Sequence, residues 1–248
     1  MTWRQPLLKL KYDSGHSPIN IYLDRPNNYL EQLVEINAKL FIVGKYNRPL
    51  SSNYRKVENI TPDIYPHVFI SQTKLENFDS LKAAAKDYRA TFIHWECAQV
   101  PSTAHKQVIF NLKSKEADVN IFIDSYLMDQ WEFSENSATI IHNGINEEYG
   151  STYDKPYLIS NHLPMHYMIT GVCPIVNKTP YTSQFIKNGY NGFLFKDKAE
   201  LTNLVNKIAY MDKDDIHNIG ENARNLILDK FSNKNFLTDW QNLLRSII

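Results

Sequence analysis

His67-Val68-Phe69-Ile70-Ser71 is an apolar run of strand length, and Thr91-Phe92-Ile93-His94-Trp95 is another. Between them, residues 75–88 carry Phe78, Leu81, Ala84, Ala85 and Tyr88 at helical spacing. Two near-continuous apolar strands joined by an amphipathic helix form one unit of a parallel sheet with helices on both faces. The alternation extends in both directions. Strands are expected at 19–23, 39–43, 119–123 and 139–142, and helices at 29–37 and 105–115. The fold class is therefore α/β, built on Rossmann-like parallel sheets.

A polar, aperiodic stretch at 146–155, which carries Gly150, interrupts this rhythm. It marks the expected boundary between a first domain over 1–146 and a smaller second domain over 147–248. The second domain is read as strands at 157–160, 173–176 and 192–195, short helices at 164–170 and 181–187, and three closing helices. Asp197 and Glu200 make a capping box for the first of these, over 198–211. The next runs over 214–230. Ser232 caps the last, whose apolar stripe includes Phe236, Trp240 and Leu244.

Bulk composition narrows the function classes. Lys plus Arg and Asp plus Glu each number 27 in 248 residues, so the formal charge is zero. That removes the simplest case for a nucleic-acid coat or a polybasic membrane binder, though not for a local basic groove. Hydrophobic residues at 43% argue for a folded chain rather than a disordered one. Cys97 and Cys173 lack the number and spacing for a disulfide scaffold or a metal site, and both read as buried thiols. No apolar run approaches the ~18 residues of a membrane span, and the opening residues lack the apolar core of a leader. The expected location is cytoplasmic. With 8 glycines there is no GxGxxG and no GxxxxGK[ST]. A nucleotide site would have to use helix starts and side chains.

In open α/β sheets, ligands bind beyond the carboxyl ends of the strands. The residues there include Asp24-Arg25, Ser71-Gln72, His94-Trp95-Glu96, Asn143-Gly144, Asn161-His162 and Asn177-Lys178. His94 and Glu96, two apart, are expected to share a face and open on a cleft, with Trp95 turned away. Either can take a proton from a hydroxyl. The same pair also reads as a hydrogen-bonded core histidine and a solvated glutamate. Pro164-Met165-His166 and Lys178-Thr179-Pro180-Tyr181-Thr182 each open a short helix after a strand. Free amide groups there suit an anion, and two such starts suit a diphosphate; ordinary helix capping is the competing reading. Asp212-Lys213-Asp214 has a DxD pattern but lies between two helices, so it reads as a cap and no metal is placed there. Tyr46-Asn47-Arg48 with Tyr54-Arg55-Lys56, and the stretch holding Trp3, Arg4, Lys9, Lys11 and Tyr12, mix aromatics with cations. Such mixtures stack bases or sugars, and also occur as plain solvated surface.

Several of these segments share an order with a known family. Residues 117–125 (ADVNIFIDS), Trp131 and then Ile140-Ile141-His142-Asn143-Gly144-Ile145-Asn146 resemble the middle of retaining GT-B glycosyltransferases of the family 4-like, or group 1, kind. Gly171-Val172-Cys173-Pro174-Ile175-Val176, then residues 184–195 (QFIKNGYNGFLF), then Ile219-Gly220-Glu221-Asn222-Ala223-Arg224 with Trp240, continue it. Val68-Phe69-Ile70-Ser71-Gln72 is similar to bacteriophage-encoded members. The likeness runs from about residue 67 to the end. This chain departs from it between Asn146 and Tyr157, where the family carries the opening strands of its second domain and an Arg and a Lys that hold the donor diphosphate. His166 and Gln184 also stand where the family has glutamates.

The resemblance implies two Rossmann-like halves, the second reduced. It implies transfer of a sugar from a nucleotide-sugar to an acceptor hydroxyl, without a metal or other cofactor. The donor-side set it brings together is Arg25, Asn143, Gly144, His162, Met165, His166, Lys178, Thr179, Thr182 and Gln184. His94 and Glu96 are the candidate catalytic residues. The implied acceptor is either a surface glycan or a hydroxymethylated base in phage DNA, and a phage-encoded chain would act in the host cytoplasm. The alternative is a non-catalytic GT-B descendant that only binds. A Rossmann enzyme of another kind is disfavoured by the absent glycine fingerprint.

Overall fold

The computed structural model describes residues 18–43, 49–57, 64–72, 77–96, 114–145, 156–160 and 163–248. Cys97, His162, the boundary stretch at 146–155, the stretches at 3–12 and 46–48, and all but the last two residues of the helix expected at 105–115 lie outside them. By compactness the chain divides into one unit of 1–141 with 237–248, and a second of 142–236. A division at 146/147 would assign all of the last helix to the second unit. Its end belongs with the first, because Trp240 and Leu244 are buried side chains of that helix and Trp240 meets Trp95.

The first unit holds a seven-stranded sheet. Its strands are β1 (Ile19–Leu23), β2 (Ala38–Val43), β3 (Tyr54–Val57), β4 (Val68–Gln72), β5 (Thr91–Glu96), β6 (Val119–Phe122) and β7 (Thr139–Ile140). They lie in the order β3-β2-β1-β4-β5-β6-β7, and every pairing is parallel. The order reverses between β1 and β4, which makes their carboxyl ends a topological switch point. Strand β3 was not expected. Tyr54-Arg55-Lys56 reads as a loop because two of its residues are charged, yet Tyr54 and Val57 are buried and only Arg55 and Lys56 face outward. Charges on an edge strand block further pairing.

Alternation sorts the central strands into two faces. One carries Tyr22, Phe41, Phe69 and Phe92, packed under Phe78, Leu81 and Ala85 of α2 (Phe78–Tyr88). Tyr22 stacks on Phe41 with ring centroids 4.7 Å apart, and Phe78 meets Phe92 edge-on at 4.9 Å. Further along this face, Phe122 packs with Leu127, Met128 and Trp131 of the segment that includes α3 (Ser125–Gln130). Asp124 caps α3, accepting from the amide of Leu127. Residues 29–37 are not one helix. A single turn, α1 (Asn28–Glu31), runs into a 3-10 segment (Gln32–Ile36) that Asn37 ends in the left-handed region, φ 62°.

In the second unit β8 (Tyr157–Ser160), β9 (Cys173–Asn177) and β10 (Phe193–Phe195) form a parallel sheet in the order β10-β9-β8. Met168, Ile169, Val176, Phe185, Leu194, Ile227 and Phe231 close one core. Cys173, Ile175, Phe193, Phe195, Ile208, Ile216 and Ile219 form the other. Burial pushes the Cys173 thiol up to about 12, so it sits there as a small apolar residue. Two single-turn helices, α4 (Met165–Met168) and α5 (Thr182–Phe185), precede α6 (Lys198–Ala209), α7 (Lys213–Lys230) and α8 (Asn233–Ile247). Gly220 lets α7 lie against the turn before β9: a Cβ there would stand 1.9 Å from the Gly171 carbonyl oxygen. No helix among the described residues is long and apolar enough to cross a membrane.

Candidate functional site

In the first unit the register aligns polar residues across four strands, near the carboxyl ends of three of them and early in β6. Ser71 on β4 pairs with His94 on β5, and His94 with Asn120 on β6. Leu23 pairs with Ile70, so Asp24, just past β1, falls beside Ser71. Asp24, Ser71, His94 and Asn120 are all buried. His94 Nδ1 is 3.0 Å from Asn120 Oδ1, and His94 Nε2 is 3.4 Å from Glu96 Oε2. Phe78, Phe122 and Trp131 surround the imidazole.

His94 and Glu96 do share a face, and Trp95 is turned to the other, where its ring meets Trp240. They do not open on solvent as expected: both are fully buried. The reason is the aromatic cover over His94, which strand alternation alone does not reveal. Glu96 is not a solvated loop charge either, since it ends β5 inside the core.

At the switch point, Asp24 Oδ2 accepts from the Gln72 amide at 3.1 Å, and the Gln72 side chain donates to the Arg25 carbonyl at 2.6 Å. Arg25, partly exposed, holds its Nε 3.6 Å from Asp24 Oδ1. Burial pushes the Asp24 carboxyl up to about 6, against the lowering pull of the Gln72 amide and the Arg25 guanidinium. Sequence reading noted Asp24 and Ser71 only as polar strand ends and passed over Asn120. The register that aligns them is a long-range property.

In the second unit the expected anion sites take a different form. Thr182 Oγ1 donates to the Asn177 carbonyl at 2.7 Å, and the amides of Thr179 and Thr182 each bond the other's hydroxyl, at 2.9 and 3.0 Å. The amides of Ser183 and Gln184 bond the carbonyls of Thr179 and Tyr181. At α4, the amides of Met165, Tyr167 and Met168 bond the carbonyls of Leu163 and Pro164. These donors are thus used within their own turns. Single-turn helices must satisfy their ends locally, and they sum almost no dipole. Thr182 itself is 1% exposed.

What remains presented at this edge is side chains. Lys178, Gln184 and His166 are exposed, Thr179 and Met165 half-buried. Lys196, which sequence reading missed, follows β10 as Lys178 follows β9. Phe195 pairs with Asn177, so the two lysines are neighbours along the edge. The signal was available in Phe193-Leu194-Phe195-Lys196, an apolar strand ending in a cation. Asn143 is half-buried. Gly144 is buried because a Cβ would stand 2.9 Å from Asn233 Oδ1 and from Phe236 Cβ. Its neighbour Ile145 donates to the Phe231 carbonyl and accepts from the Asn233 amide, knitting this segment to the end of α7 and the start of α8. Asp212 accepts from the Asp214 amide, the cap expected of the DxD pattern. Among the described residues no three His, Cys, Asp or Glu side chains gather as a metal site.

The sequence matches no known family and no curated protein. Solved structures do match. Anabaena Alr3699/HepE in complex with UDP-glucose superposes with a TM-score of 0.70 at 10% identity, over 92% of this chain and 99% of that one. The chain has a glycosyltransferase-like, GT-B-type fold. A glycosyltransferase from Rickettsia africae ESF-5 gives 0.69 at 9% identity, over 94% and 99% of the two chains. Sucrose-phosphate synthase from Thermosynechococcus elongatus gives 0.67 at 10%, over 93% and 99%. Set against that GT-B pattern, the seven-stranded unit is the fuller half and the three-stranded unit the reduced one.

Proposed function

We propose that this protein is a glycosyltransferase that moves a sugar from a nucleotide-sugar to an acceptor hydroxyl. The observation that carries this reading is the likeness, over 92% of this chain and 99% of the other, to a protein crystallised with UDP-glucose. The donor is assigned to the second unit. Lys178, with Lys196 beside it, opposes the charge that grows on the leaving diphosphate, an electrostatic role that requires no metal. Gln184, His166 and Asn143 offer hydrogen bonds, and His162 is assigned with them. Gly144, Met165, Thr179 and Thr182 shape the turns that present those groups. Arg25 is the first unit's cation for a phosphate. His94 and Glu96 are assigned the acceptor's proton.

Transfer or hydrolysis across a panel of UDP- and GDP-sugars tests this reading, with turnover expected for at least one donor. The second reading, a binding module without chemistry, is favoured by one observation: the amides at both helix starts are used within their own turns. No turnover, and no thermal shift with any nucleotide, would select it.

A further inference from the structure

At the amino-terminal end of the large sheet, the chain entering β4 is laced to β1 by side chains. The Tyr22 hydroxyl donates to the Ile64 carbonyl at 2.7 Å, and the Asn20 carboxamide donates to the Tyr65 carbonyl at 2.8 Å. The His67 amide donates to the Asn20 carbonyl at 3.0 Å. In return the Asn20 amide donates to His67 Nδ1, at 2.9 Å, where a strand ladder would use a carbonyl. The His67 carbonyl accepts from the Thr91 amide at 3.1 Å, so this one residue joins the starts of β1, β4 and β5. The imidazole is half-buried and lies edge-on to Tyr65, whose hydroxyl donates to the carbonyl of Tyr88 at the end of α2. Asn20, Tyr65 and Tyr88 include no carboxylate and no amine, and among the described residues His67 takes part in no ion pair.

We propose that His67 is an acid-released latch on the amino-terminal seam between β1 and β4. A ring nitrogen that accepts a backbone N–H carries no proton, so the latch holds only in the neutral imidazole, with its proton on Nε2. A second proton, taken up on Nδ1, turns the acceptor into a donor and sets two N–H groups against each other. The ring then has to leave Asn20, whose amide loses its bond. The other lacing bonds end on backbone carbonyls, which do not titrate. Burial pushes the Tyr22 phenol up to about 12, so its donation to Ile64 is also fixed near neutrality. The direction of the switch follows from linkage. An unfolded imidazole ionises near pH 6.5, and burial holds that of His67 lower. The unfolded chain binds more protons in that interval, so the latch is whole above about pH 6.5 and is lost as pH falls below it. The opening is local. Just beyond it Ile21, Tyr22 and Leu23 pair with Val68, Phe69 and Ile70, all fully buried.

The test is amide hydrogen exchange on the isotope-labelled full chain, read by NMR as protection relative to a free amide at the same pH. Asp24 titrates with the opposite sign, so global stability mixes the two groups. The quantity to follow is therefore the protection of the Asn20 amide divided by that of the Ile70 amide in the paired core. This ratio should fall about tenfold between pH of about 7.5 and about 5, the factor that one net hydrogen bond supplies. His67→Asn keeps an acceptor at the same reach but does not titrate, and its ratio should stay level. His67→Phe has no acceptor, and its ratio should be low at both ends. A level ratio in the parent, a fall that persists in His67→Asn, or a His67→Phe protein as protected as the parent near pH 7.5 overturns the latch. If neither variant folds, the parent decides alone: its ratio must fall together with protonation of Nδ1, followed by the nitrogen shifts of the His67 ring, and a fall without that protonation also overturns it.

Discussion

Asp24 carries a charge that the fold does not favour. Unfolded, its carboxyl ionises near pH 4; folded, burial holds the proton up to about 6. Between those values the folded chain binds more protons than the unfolded one, so stability falls as pH rises. Above pH 6, roughly 3 kcal/mol has been lost relative to pH below 4. Asp24→Asn should abolish this fall while keeping an acceptor for the Gln72 amide. Urea midpoints from pH 4 to 7 should show a flatter profile in the variant, and greater stability at pH 7. An unchanged slope would assign the titration to another group. Gly220 is a second residue-scale case. Alanine favours a helix over glycine by about 1 kcal/mol, but here its Cβ meets a backbone carbonyl that cannot turn aside. Gly220→Ala should therefore destabilise by about 2 kcal/mol, read as a lowered melting temperature; a raised one would show that α7 and the turn before β9 can part freely.

At the scale of elements, the loop joining β9 to α5 is a reciprocal threonine cap. Thr182→Ala removes its bonds to Asn177 and Thr179 and should cost about 1–2 kcal/mol in urea unfolding, with most of it restored in Thr182→Ser. Equal stability of all three proteins would show that the cap is not needed. The residues in this loop were legible as a polar helix start, but what their donors bond to was not. A hydroxyl three residues from an amide reads equally as an anion cradle and as a cap, and only the coordinates of Asn177 and Thr179 decide. Other elements declared themselves fully. Asp197 accepts from the Glu200 amide as a capping box requires, and Glu200 reaches back to the Lys196 amide. Ser232 accepts from the Asn235 amide at the start of the last helix. Strand β3 was hidden because edge strands are short and charged, the same features that mark loops.

At the scale of the whole molecule, the alternation of apolar strands and amphipathic helices made the cores of both parallel sheets legible, because the central strands are buried on two faces. Strand order and the return of residues 237–248 to the first unit were not legible, since both depend on contacts distant in sequence. Trp240 is the anchor of that return. It is fully buried and edge-on to Trp95 at 6.4 Å. Trp240→Ala should lower unfolding stability by roughly 3–5 kcal/mol, measured by urea denaturation, without altering which nucleotide binds. A variant as stable as the parent would detach the last helix from the first unit's core.

On the proposed function, the reduced second unit holds a nucleoside diphosphate through Lys178. The decisive experiment is calorimetric titration of UDP into the full chain. Saturable binding that Lys178→Ala weakens about tenfold is the expected result. No binding, or an affinity that the substitution leaves unchanged, contradicts it.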